Sequence, residues 1–160
     1  AAELFREMFD KINAVIEASD IQIYDVLHVH FVRIRLLYRI LLRDENTRLF
    51  FYELNKKKVM SVIMKPMVDE MYREIIKKYH ITVTGEEFCM IREIDAAGRM
   101  TFFEKYLEGQ YSLSLDDAVT ILEGVVPRLL GMDAGTIDSM LLSSMRIANA
   151  MPVEDLHLLL

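Results

Sequence analysis

Apolar residues recur along this chain at helical spacing, and short polar breaks divide the recurrence into six or seven segments. The first segment, Glu3 to Ala18, places Leu4, Phe5, Met8, Phe9, Ile12 and Ile16 on one face and ends at Ser19-Asp20. The second, Ile21 to Leu42, is apolar around most of its circumference, the pattern of a helix covered on several sides. Asp44, Asn46 or Thr47 is positioned to cap a short third helix, Arg48 to Asn55. Lys56-Lys57-Lys58 then leads into a fourth, Val59 to Tyr79, where Pro66 predicts a kink or a break because proline removes a backbone donor. Thr84 and Glu87 have the spacing of a capping box, opening a fifth helix that runs to about Glu108. Ser114-Leu115-Asp116-Asp117 opens a sixth, ending near Gly131, and a seventh runs from about Thr136 to Met151 before Pro152. The pattern predicts an all-α helical bundle in one domain, residues 1–160.

Projecting these helices at roughly 3.6 residues per turn sorts their polar side chains. On the second helix, His28, Arg35 and Arg39 fall with Asp25 and Arg43 on a stripe expected to face solvent. His30 and Arg33 fall instead among Val26, Ile34, Leu37, Ile40 and Leu41. A polar group on an apolar face needs a partner or costs about 1–3 kcal/mol. Two explanations stay open, a satisfied core histidine with a snorkelling arginine, or a pair of ligand contacts. The fifth helix repeats the pattern: Arg92, Asp95 and Arg99 share a side with Phe88, Ile91, Phe102, Phe103 and Tyr106. Asp95 and Arg99 are spaced for an internal ion pair, which leaves Arg92 without an obvious partner. On the fourth helix Met60, Met64, Met67, Met71 and Ile75 stack on one face, a flexible stripe suited to filling a core or to shaping an adaptable cavity. Ala96-Ala97-Gly98 and Gly124 remove side-chain bulk inside helices, where another backbone is expected to come close, either within the chain or across a two-fold axis.

Composition narrows the functions open to such a bundle. With 52% hydrophobic and 28% charged residues, the chain is neither disordered nor a membrane span. A net charge of -6 argues against a grip on phosphate backbones by this segment. The single cysteine, Cys89, cannot form an internal disulfide and fits a reducing compartment, so the expected location is cytoplasmic. The first ten residues lack the unbroken apolar run of a signal peptide, and the five-residue apolar tail Leu156 to Leu160 is far too short to cross a bilayer. No GxGxxG, P-loop, GxSxG, HExxH or Cys-rich pattern occurs, and His28 and His30 point to different helix faces, so neither catalysis, a cofactor nor a metal site is expected.

Several phrases, in this order, resemble the C-terminal domain of TetR-family (tetracycline-repressor-like) transcriptional regulators. Glu3-Leu4-Phe5 leading into Met8-Phe9-Asp10 is similar to the start of the helix that follows the DNA-binding module. The run from Leu42 to Phe51 is similar to the link between the long central helix and a short one. Glu70 to Tyr79, Thr84 to Glu87, and Leu113 to Leu130 resemble the later helices. The resemblance implies the effector-binding and dimerisation domain of a bacterial repressor, in which ligand binding changes operator affinity through a coupling free energy. It implies a homodimer through the fifth and sixth helices, with Ala97, Gly98, Thr101, Val119, Leu122 and Val126 at the interface. It also implies a pocket among the second, fourth and fifth helices, with His30, Arg33, Met64, Met67, Met71, Arg92 and Phe103 as expected contacts for an apolar or amphipathic small molecule, an anion among the options. Operator DNA would be reached through a helix-turn-helix that is not in this sequence. The alternative is a helical carrier or protein-interaction module that binds a lipid or a partner helix and never touches DNA.

Overall fold

Seven helices organise residues 1–159, the part of the chain described by the computed structural model: α1 (Ala2–Ala18), α2 (Val26–Arg43), α3 (Glu45–Lys56), α4 (Val59–Lys78), α5 (Gly85–Leu107), α6 (Leu115–Leu129) and α7 (Ala134–Ala150). No strand occurs among the described residues. Side-chain caps set most of the starts. Asp44 accepts from the Thr47 amide, Thr84 from Glu87, Ser114 from Asp117 and Asp133 from Thr136, each satisfying an amide that the helix itself leaves free. The second helix begins at Val26, later than its apolar pattern suggests, because the Asp25 carboxylate accepts from the amides of Leu27 and His28 and fixes the first turn there. Ile21 to Tyr24 lead into it without regular secondary structure. Pro66 does not divide α4, which is continuous from Val59 to Lys78.

α2 lies at the centre and touches α1, α3, α4, α6 and α7. Its Val32, Leu36, Leu37, Ile40 and Leu41 join Phe5, Met8, Phe9 and Ile12 of α1 with Phe51, Phe103, Val119 and Leu122 in the larger apolar cluster. Its first turns, at Leu27 and Phe31, join Val68, Tyr72 and Ile75 of α4 with Val126, Ile137 and Leu141 in a second. The segment after α7 closes the larger cluster, since Val153 and Leu158 are buried in it and Leu156 packs against it. Leu156 and Leu158 of the apolar tail are thus part of the packing around the core, and Leu160, its last residue, lies outside the described residues.

Along the stripe Arg35, Arg39 and Arg43, contrary to its polar pattern, Arg35 is buried and Arg39 half-buried, and Arg43 alone is exposed. Arg35 is buried and donates to the Ser144 hydroxyl at 3.0 Å, the Thr120 hydroxyl at 2.7 Å and the carbonyls of Asp116 and Leu141 at 3.2 and 3.1 Å. Arg39 donates to the carbonyls of Ala148 and Met151, and Arg43 to those of Val153 and Leu156. Carbonyls at a helix C-terminus have no intrahelical partner and carry partial negative charge. The end of α7 and the segment after it therefore dock onto a ladder of guanidinium groups, which runs from buried Arg35 to exposed Arg43.

The glycines in helices separate into two kinds. A Cβ on Gly124 would stand 3.1 Å from Arg128 Nε and 3.5 Å from Leu141, so this glycine serves packing inside the chain. A Cβ on Gly98 would meet nothing within 4 Å. Among the described residues no helix is long and apolar enough to cross a membrane.

Candidate functional site: a helical cavity with a charged floor

A cavity of about 190 Å³ lies between α2, α3, α4 and α5, with α6 beneath it. α2 contributes His30, Ile34 and Tyr38, α3 Phe51 and Asn55, and the first half of α4 Met60, Met64, Lys65 and Val68. α5 supplies Arg92, Asp95, Ala96, Arg99, Met100 and Phe103, and α6 supplies Glu123. Val62, which is 71% exposed, also lines it, so the opening to solvent lies along the first half of α4.

The walls are thioethers and aromatic rings. Tyr38, Phe51 and Phe103 form a contiguous group, with ring centroids 4.7 Å apart for Tyr38 and Phe103 and 5.2 Å for Phe51 and Phe103. A chain of charges that alternates in sign runs from the rim to the floor, with Asp69 behind the lining. Lys65 Nζ lies 2.8 Å from Asp69 Oδ2, and Asp69 Oδ1 lies 2.8 Å from Arg92 Nε. Arg92 Nη1 reaches Asp95 Oδ2 at 2.6 Å, Asp95 Oδ1 accepts from Arg99 Nη2 at 3.1 Å, and Arg99 Nη1 meets Glu123 Oε1 at 2.7 Å. Arg99 also donates to the Tyr38 hydroxyl at 2.9 Å. Asn55 donates to the Met100 carbonyl and ties α3 to α5 at the same level.

Burial alone would push the Glu123 carboxyl up, but the Arg99 guanidinium and the His30 ring outweigh it and bring it down to about 2. Glu123 is therefore ionised at neutral pH although it is buried. Burial pushes the Tyr38 phenol up to about 12, so it stays a hydroxyl. His30 stands at the end of the chain of charges, with Nε2 3.6 Å from Glu123 Oε2, longer than a hydrogen bond. Its Nε2 is enclosed and has no hydrogen-bond partner, while Nδ1 contacts the Met71 sulfur at 3.2 Å and the ring meets Tyr72 edge-on.

His30, Met64, Arg92 and Phe103 line this cavity, whereas Arg33, Met67 and Met71 do not. Arg33 turns toward α1, where Nε donates to Asn13 Oδ1 at 2.7 Å. Met67 and Met71 pack against the larger core cluster. Of the residues expected at an interface, Ala97, Gly98 and Thr101 are exposed on α5, but Val119, Leu122 and Val126 point into the protomer and are buried in its two clusters. A partner cannot reach those three without opening the core.

Two members of this chain of charges escape sequence reading. Asp69 is the partner that Arg92 lacked, and it follows Lys65 by one turn on the methionine-rich helix. Glu123 sits between Leu122 and Val126 on the apolar face of α6, the same anomaly that marks His30 and Arg92. That polar position among buried apolar ones is the signal that would have found it. Among the described residues no group of three or more His, Cys, Asp or Glu side chains is placed to hold a metal ion.

No protein-family model, curated protein or solved structure matches the chain.

Proposed function

We propose that this chain is a small-molecule-binding domain that pairs with a second copy of itself, the effector-sensing part of a TetR-like transcriptional regulator. The observation that carries the reading is the cavity, because a void of this volume in a close-packed protein forfeits packing energy unless a guest fills it. A binding role suits it better than catalysis, since the charged groups on its floor are engaged with one another. Pairing is supported by Met90, Ile94, Ala97, Gly98 and Thr101, which run along one exposed face of α5 beside exposed Ile121 and Leu129 on α6. Gly98 has no packing purpose inside the protomer, so its cost of about 1 kcal/mol in helix propensity is offset by close approach of another backbone.

A thermal-shift screen with compact apolar compounds tests the cavity. A compound at about a hundred times its Kd stabilises by about 2.7 kcal/mol, which raises Tm by several degrees. Met64→Trp, which fills the cavity, abolishes those shifts, and Ala96→Phe serves the same purpose from the opposite wall. Shifts that persist in both folded variants place the ligand elsewhere and remove the cavity from the reading. The regulatory half is tested in the coding sequence upstream of Ala1, where a helix-turn-helix supports it and an unrelated domain overturns it.

A further inference from the structure

We infer that the guest of this cavity is an uncharged, compact ring compound and not an anion or a cation; the inference rests on the cavity being a binding site. It follows from the charges on the floor. Lys65, Arg92 and Arg99 alternate with Asp69, Asp95 and Glu123, so three cations meet three anions within hydrogen-bonding distance and the chain of charges is neutral as a whole. Both guanidinium groups are already paired with carboxylates, so a carboxylate or phosphate guest competes with them. Arg92, the residue best placed to attract an anion, already spends Nε on Asp69 and Nη1 on Asp95. Arg99 is held by Asp95, Glu123 and the Tyr38 hydroxyl. Glu93, on the same wall and exposed, adds negative charge at the solvent edge.

A charged guest must therefore shed its hydration without gaining an unpaired countercharge, or break a buried pair to obtain one, and either route is costly. A neutral guest does neither. It exchanges water for contact with Met60, Met64, Met100, Phe51 and Phe103, groups that offer polarizable and ring-edge surface. The volume sets the size. An apolar cavity of about 150 Å³ takes up benzene, so 190 Å³ suits a single substituted ring or a small fused pair.

The test uses three guests of one shape and different charge, naphthylmethanol, naphthoate and naphthylmethylammonium, titrated into the chain near neutral pH by isothermal calorimetry. Naphthylmethanol is expected to bind at least about tenfold more tightly than either ion, and Ala96→Phe to abolish that binding. Tighter or equal binding of naphthoate or of the ammonium compound overturns the inference about charge and leaves the cavity standing as a site. Binding of none of the three overturns both. Binding of naphthylmethanol that survives the filling substitution places the guest outside the cavity and overturns both as well.

Discussion

Arg99 of α5 and Glu123 of α6 meet at 2.7 Å beneath the cavity, and the Glu123 side chain is only 2% exposed. This pair holds the two helices together below the floor. The folded Glu123 carboxyl is lowered to about 2 from the 4.5 of an ordinary glutamate, so the folded state binds its proton less readily than the unfolded chain. The resulting stabilisation is fully present above the unfolded value and is lost as pH falls from about 4.5 toward 2. Its size is roughly 3 kcal/mol. Glu123→Gln leaves Arg99 with Asp95 as its remaining carboxylate and is expected to destabilise by about 3 kcal/mol at neutral pH. Urea unfolding of wild type and variant at stepped pH checks the coupling: the difference should shrink across that acid window, and a constant difference would show that Glu123 is not held ionised by Arg99.

Arg35 stabilises through geometry as much as charge. Its guanidinium donates to side chains or carbonyls on both α6 and α7. Arg35→Ala removes four hydrogen bonds that tie α2 to α6 and α7 and is expected to cost about 3 kcal/mol or more. Arg35→Lys keeps the charge but not the planar fork, and it should recover only part of the loss. Chemical denaturation gives the magnitudes, and faster hydrogen exchange in α7 locates the damage. Recovery of full stability by lysine would show that charge alone matters there.

The order and bounds of most helices were legible in the sequence because local rules decide them. Thr84 and Ser114 mark their helix starts by side-chain chemistry alone, and the methionine and phenylalanine spacings identify buried faces. What failed depended on partners distant in sequence. Arg35 and Arg39 look solvated on a helical projection, since the projection records polarity but not the α7 carbonyls more than a hundred residues away that receive their protons. Arg33 shares its projected side with His30 but ends on Asn13, a choice fixed by where α1 crosses α2. Val119, Leu122 and Val126 form an apolar stripe whose spacing is the same for a core and for an interface, and burial of all three within the protomer decides for the core. The cavity was legible only as polar residues on apolar faces, and its charge balance needed Asp69 and Glu123 in three dimensions.

Phe103 lines the cavity but is fully buried, with its ring against Tyr38, Phe51, Phe102 and Tyr106. Its main contribution is therefore to the core. Phe103→Ala is expected to cost about 3–5 kcal/mol, a loss measured by urea unfolding. Phe103→Leu, which keeps most of the volume, should cost less than about half of that. A loss below about 1 kcal/mol for the alanine variant would mean that the ring cluster collapses without penalty.

The exposed stripe on α5 makes a prediction separable from folding. Ile94 is 51% exposed and Gly98 lies one turn further along the same face. Ile94→Glu adds a charge to a solvated position, so protomer stability should change by no more than about 0.5 kcal/mol. In a symmetric dimer that charge appears in both copies on a desolvated face. Sedimentation velocity is expected to report a dimer for wild type and a monomer for Ile94→Glu and Gly98→Glu, with helical content unchanged. Val126→Glu provides the contrast, because Val126 is 1% exposed inside the protomer and a carboxylate there should unfold the chain instead of dividing a dimer. Wild type sedimenting as a monomer at micromolar concentration would end the pairing proposal, and a folded, monomeric Val126→Glu would return α6's inner face to the interface.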